Sequence, residues 1–213
     1  MHQFQIFPSK TVYRISKKVA DSKLGDEYHH YRLALRSIAR ATDRRSLIAT
    51  LLPTDSVASN SLTVQKDSQD MVVTDKLFTL GFLNSYVLDF VLRQLVSINI
   101  NQIYLKQLPV PNSSEIKDSD KIVQIVKELL KENKNFYQEL DELIPGNEYQ
   151  GFSHDELIAE LNARVMVDFN LTRQEIVTLM ETFKSKNHVK DVEADEQRII
   201  DKYDELTEGA NNE

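Results

Sequence analysis

No cysteine occurs in the 213 residues, which excludes disulfides and thiolate metal sites. Glycine is scarce. The five glycines stand at 25, 81, 146, 151 and 209, too far apart to cradle a phosphate, so the chain carries neither a P-loop nor a dinucleotide fingerprint. No apolar run approaches the roughly 20 residues that span a bilayer, and the opening MHQFQIFPSK lacks the charged start and apolar core of a signal peptide. A cytoplasmic protein without membrane contact is expected. Paired carboxylates, metal-ligand spacings and an activated nucleophile are also missing, so a stand-alone hydrolase has no support. Of the five histidines, His29 and His30 are adjacent and would point to opposite faces of a strand. His154 and Asp155 have no partner histidines at useful spacing. No metal site and no catalytic residue are expected.

What is present is an ordinary globular composition, 41% hydrophobic and 28% charged, with an uneven charge distribution. The net charge of −7 alone argues against a polyanion partner, because DNA binding rests on neutralised phosphates. Residues 1–110, however, hold 14 Lys and Arg against 9 Asp and Glu, a balance of +5, whereas residues 111–213 hold 12 against 24, a balance of −12. Two parts with different neighbours are expected.

The pattern predicts short strands first and helices later, an α+β fold. In YRLALRSIA, Tyr31, Leu33 and Leu35 alternate with Arg32 and Arg36, the period of a half-buried strand. SLIATLLP (46–53) is a second strand, stopped by Pro53, and NSLTVQ (60–65) a weaker third. RATDRR (40–45) reads as a polar connection. From 74 to 96 the period changes: Leu80, Leu83, Val87, Val91 and Leu95, widened by Tyr86 and Phe90, predict one long helix. INQIYLKQLPVP is expected to return as an extended segment that closes a small mixed unit at residue 111, and residues 112–118 read as a linker. An acidic, all-helical region over 119–206 follows, then a disordered tail over 207–213. Ile122, Ile125, Val126, Leu129, Phe136, Leu140 and Leu143 stripe a helix from 119 to 144, ended by Pro145 and Gly146. Ser153 with Glu156, and Thr172 with Glu175, read as capping boxes opening two more helices. Their buried faces are Leu157, Leu161 and Val165, then Ile176, Leu179, Met180 and Phe183. Ile199, Ile200, Tyr203 and Leu206 mark a last amphipathic segment.

The densest feature is Arg32, Arg36, Arg40, Arg44 and Arg45, all within fourteen residues. On a strand Arg32, Arg36 and Arg40 share one face, opposite Tyr31, Leu33 and Leu35. Guanidinium forks in a row suit phosphates and guanine edges. They equally suit a solvent-facing strand whose arginines pair with Asp43 or with distant carboxylates.

The run YRLALRSIARATDRRSLIATLLP resembles a stretch of large restriction–modification enzymes that carry an adenine-specific N6 methyltransferase domain, type IIG fusions among them. Three further stretches agree in order: LFTLGFLNSYVLDFVLRQLV with its Leu83-Asn84-Ser85, then INQIYLKQLPVP, then ELIAELNARVMVDFNLTRQEIVTLMETF. Together they span residues 28–184. The family's usual Tyr-Gly before Leu-Thr is replaced here by Phe169-Asn170, and asparagine can take the left-handed conformation a glycine supplies. The resemblance implies a target-recognition (specificity) region that clamps double-stranded DNA for an upstream methyltransferase domain of the same polypeptide. That domain would bind S-adenosylmethionine and flip out the adenine. It lies outside this chain, which has no Asn-Pro-Pro-aromatic motif, and so would any nuclease domain. The resemblance assigns DNA contact to Arg36, to the loop carrying Arg40, Arg44 and Arg45, and to Arg93 and Lys106 on the backbone. The acidic helices would brace the recognition unit. The alternative is a helical protein-interaction or scaffold module whose 122–143 stripe meets a partner helix.

Overall fold

The computed structural model describes residues 15–40, 43–95, 100–133, 137, 139–184 and 188–210. Helix α1 (Lys17–Leu24) leads to the strands β1 (Arg32–Arg36), β2 (Ala49–Leu52) and β3 (Leu62–Val64). They form one antiparallel sheet in the order β2-β1-β3, with Leu33 opposite Leu51 and Leu35 opposite Thr63. The strands fall where the alternation predicts them. Their exposure does not. The first four residues of β1 are all buried, and Arg32 is only 4% exposed, so the strand has no open arginine face.

The long helix expected over 74–96 is two helices, α2 (Val73–Leu83) and α3 (Tyr86–Leu95). The break falls at Asn84-Ser85. The Asn84 carboxamide leaves the helix to bond the backbone of Ala49 in both directions, its Oδ1 accepting from the amide and its Nδ2 donating to the carbonyl, each at 3.0 Å. Asn84 thus serves β2 as a neighbouring strand would. Ser85 then opens α3, its hydroxyl accepting from the Leu88 amide.

INQIYLKQLPVP is not extended throughout. Asn101 accepts from the amides of Ile103 and Tyr104 and caps a short helix, α4 (Gln102–Leu105). Ile100 N–H donates to the Ser37 carbonyl, which ties this segment to the end of β1. The 112–118 stretch holds a 3-10 turn, Ser113–Glu115, closed by Asn112 and Glu115. The helix expected over 119–144 is α5 (Ser119–Lys131) and α6 (Leu140–Leu143); Phe136 lies outside the described residues. Both capping boxes form as read, at the starts of α7 (His154–Asp168) and α8 (Arg173–Glu181). The last helix, α9 (Val189–Ala210), runs past the point where the sequence suggests fraying, and residues 211–213 lie outside the described residues.

Asn170 does take the left-handed conformation, with φ of 52°. The Leu171 amide reaches the Met166 carbonyl and the Asn170 amide the Val167 carbonyl, the paired bonds that close a helix C-terminus when the chain reverses hand.

One contiguous cluster of buried side chains joins the sheet to the helices, from Tyr31 and Leu51 to Ile199 and Ile200. Helix α2 lies between β2 and α5, and α7 packs on α5, α3 and α9. Gly81 sits at the crossing of α2 with its helical neighbours. A Cβ there would lie 2.8 Å from Ile122 Cγ2 and 3.2 Å from Leu161 Cδ1, so only glycine admits this approach without movement.

Candidate functional site

Helix α3 carries one carboxylate, Asp89, inside an otherwise apolar run, and it is fully buried. A buried ion persists only when it is paired and hydrogen-bonded. Four N–H donors converge on it: Arg45 Nε at 2.6 Å, Arg93 Nε at 3.2 Å, and the backbone amides of Ser46 and Leu47 at 3.0 and 3.2 Å. Each guanidinium also uses its Nη2. Arg45 Nη2 reaches the carbonyls of Asn84 and Ser85 at 2.9 and 2.7 Å, satisfying the end of α2. Arg93 Nη2 reaches the carbonyls of Asp43 and Arg44 at 2.5 and 2.9 Å, fixing the loop that precedes β2.

Aromatic faces cover both cations. Arg45 lies 4.2 Å from the Tyr86 ring centroid, and Arg93 lies 4.0 Å from that of Phe183 beyond α8. Burial pushes the Tyr86 hydroxyl well above its ordinary range. That hydroxyl donates to Asp195 on α9 at 2.6 Å. Asn162 on α7 completes the cluster by accepting from the Tyr86 amide at 2.8 Å.

The arginines named from the sequence divide accordingly. Arg45 and Arg93, each with a side chain 7% exposed, are structural anchors and present no charge to a polyanion. Arg32 donates to the Ser56 carbonyl from inside the protein. Arg36, partly covered, bonds the Arg45 carbonyl at 2.7 Å and pairs with Asp43 at 3.3 Å. Arg44, 40% exposed, pairs with Asp191 and Asp195 of α9 at 3.5 and 3.3 Å. These contacts match the reading in which the arginines serve Asp43 and distant carboxylates. Arg40 and Lys106 remain exposed. The Ile100–Ser37 bond links the two segments that carry them, which also carry the exposed Ile38 and Ile103.

Sequence reasoning passed over Asp89, Asn84 as a strand mimic, and Asn162. The signal for the first was an acidic residue in an apolar helical run, four positions before an arginine.

Three of the histidines meet carboxylates. His29 ends a 3-10 turn rather than lying on a strand, and it meets Asp55 at 2.5 Å; His30 meets Asp26 at 2.9 Å. His154 opens α7 against Glu132 at 2.8 Å. Among the described residues no cluster of three His, Asp or Glu side chains is arranged to hold a metal ion, and no helix is long and apolar enough to cross a membrane. The α5 stripe is internal: Ile122, Ile125, Val126 and Leu129 are fully buried in this chain's own core, while Leu143 is exposed. Among the described residues, the α5 part of the stripe is thus taken up by this chain's own core. No protein-family model matches the chain, and neither a curated protein nor a solved structure matches it.

Proposed function

We propose that the chain is the DNA-facing target-recognition fragment of a restriction–modification enzyme that methylates adenine at N6. Its catalytic domain, with the S-adenosylmethionine site, would belong to another part of the same polypeptide. One observation carries this reading. Three of the four stretches on which the resemblance rests contribute to a single buried network: Arg45 from the first, Asn84, Tyr86, Asp89 and Arg93 from the second, and Asn162 from the last. The third stretch joins the first through Ile100 and Ser37. The resembling segments are thus one physical unit rather than scattered likenesses.

The network changes which groups would touch DNA. Arg45 and Arg93 support the unit from inside. Contact falls to Arg40 and Lys106, assisted by the half-exposed Arg44, with Ile38 and Ile103 as apolar neighbours for base edges or sugars. Two phosphate contacts alone give weak, salt-sensitive binding.

Fluorescence anisotropy with a labelled duplex tests this. Binding at low salt should fall steeply as salt rises, and the Arg40→Ala/Lys106→Ala pair should flatten the logarithmic salt slope by about 2, roughly 0.9 per lost phosphate contact. An unchanged slope in a folded double variant, or no binding at low ionic strength, would sink the proposal. An Asn-Pro-Pro-aromatic motif encoded upstream of Met1 would support it independently.

A further inference from the structure

Arg40 and Arg44 stand on one tight turn. The Asp43 amide donates to the Arg40 carbonyl at 3.0 Å, the Arg40 amide donates to the Asp43 carboxylate at 3.1 Å, and the Ser46 hydroxyl donates to the Arg40 carbonyl at 2.7 Å. Arg93 Nη2 holds the Arg44 carbonyl at 2.9 Å, so the backbone beneath the Arg44 side chain is fixed from inside the protein. Arg40 is exposed, whereas Arg44 turns to α9 and meets Asp191 at 3.5 Å and Asp195 at 3.3 Å. Those two carboxylates stand about one helical turn apart, roughly 6 Å along the axis, and close on one guanidinium.

Helix α9 does not depend on this clasp for its seat. Val192 and Ile199 are fully buried, the Tyr86 hydroxyl donates to Asp195 at 2.6 Å, and Arg198 reaches Asp155 on α7 at 3.1 Å. The Arg44 side chain is 40% exposed and that of Asp191 56%, and ion pairs so open to solvent add little stability. Arg44 can therefore change partners by a side-chain rotation between two fixed backbones. A carboxylate and a phosphate present the same kind of acceptor to a guanidinium fork. The group that holds Arg44 in the free chain is thus of the kind a polyanion would offer.

We propose that the start of α9 is an autoinhibitory contact: Asp191 and Asp195 occupy Arg44, and a phosphate of bound duplex must displace them to engage it. The inference rests on the DNA reading and adds a control to it. Release of Arg44 places a second guanidinium on the turn that already presents Arg40.

Anisotropy titrations of the full chain with a labelled duplex over a salt series test it. Asp191→Asn/Asp195→Asn removes both charges, and the carboxamide introduced at 195 can still accept from Tyr86. This variant should bind on the order of tenfold more tightly than the wild type at about 50 mM salt, and its logarithmic salt slope should steepen by about 0.9, one added phosphate contact. Arg44→Ala in the same background should cancel both changes. Glu193→Gln/Asp201→Asn is the control. It removes two exposed charges of α9 that pair with no cation among the described residues, and it should leave the slope unchanged. A gain that survives Arg44→Ala, an equal gain in the control, or wild-type affinity and slope in the folded Asp191/Asp195 variant would overturn this inference alone, provided Arg40→Ala/Lys106→Ala still flattens the wild-type slope. Absence of duplex binding by wild type and variant alike at low salt would instead remove the DNA reading, and the autoinhibitory contact with it.

Discussion

Asp89 is the residue on which the arrangement of the first half depends. It pairs with both Arg45 and Arg93 and receives the amides that begin the run into β2. Removing one partner of a buried ion pair leaves an uncompensated charge, which costs about 3–5 kcal/mol. Asp89→Asn and Arg45→Ala should each destabilise the protein by that order in urea denaturation, whereas Arg44→Ala, whose pairs are half-exposed, should cost at most about 1 kcal/mol. A loss near 1 kcal/mol for Asp89→Asn would contradict its central role. Asp168 behaves in the opposite sense. Its folded-state carboxyl titrates at about 6 against an ordinary 3.8, so between those values the folded chain holds a proton the unfolded chain has released. Stability therefore falls as pH rises through that window. Asp168→Asn should raise Tm at pH 7.5, and the gain should disappear as the pH is lowered from 6 to 4. A pH-independent difference in Tm would show that the carboxyl's ionisation is not its cause.

At the scale of elements, what the sequence made legible were features written within a turn or two of chain. The boxes Ser153–Glu156 and Thr172–Glu175 and the reversal at Asn170 depend on neighbours three to five residues apart, and all form as read. The break between α2 and α3 was not legible. It depends on Asn84 reaching Ala49, 35 residues away, and apolar periodicity carries no trace of such a bond. The arginine face failed for the same reason. Alternation identifies a strand but not what covers it, and Arg32 and Arg45 are covered by segments distant in sequence. Gly81 is the element-scale counterpart, since a lone helical glycine means little until its neighbours are known. Gly81→Val should force α2 away from Ile122 and cost about 1–3 kcal/mol in overpacking strain. Thermal unfolding by circular dichroism would register this as a lower Tm with little change in helicity at 20 °C; an unchanged Tm would mean the crossing is looser than the 2.8 Å approach implies.

Over the whole molecule, the charge split of +5 and −12 suggests two bodies, and packing gives it another meaning. The basic half and the acidic half are joined through their charges: Arg44 pairs with Asp191 and Asp195, and Tyr86 bonds both Asp195 and, through its amide, Asn162. Beneath these polar ties the buried cluster is continuous, with α2 packed on α5 and α3 on α7 and α8. A boundary near 112–118 is therefore a change of composition rather than a gap in the core. Two bodies that share a core cannot unfold separately without exposing the shared face, and α2 is buried almost entirely by sheet on one side and α5 on the other. Native-state hydrogen exchange should accordingly give β1, α2 and α7 amides the same opening free energy. Asn162→Ala, although it lies in the acidic half, should lower protection in β1 as much as in α7. If β1 instead opened at a lower free energy and ignored that substitution, the basic first half would be an autonomous body and the acidic helices only its neighbour.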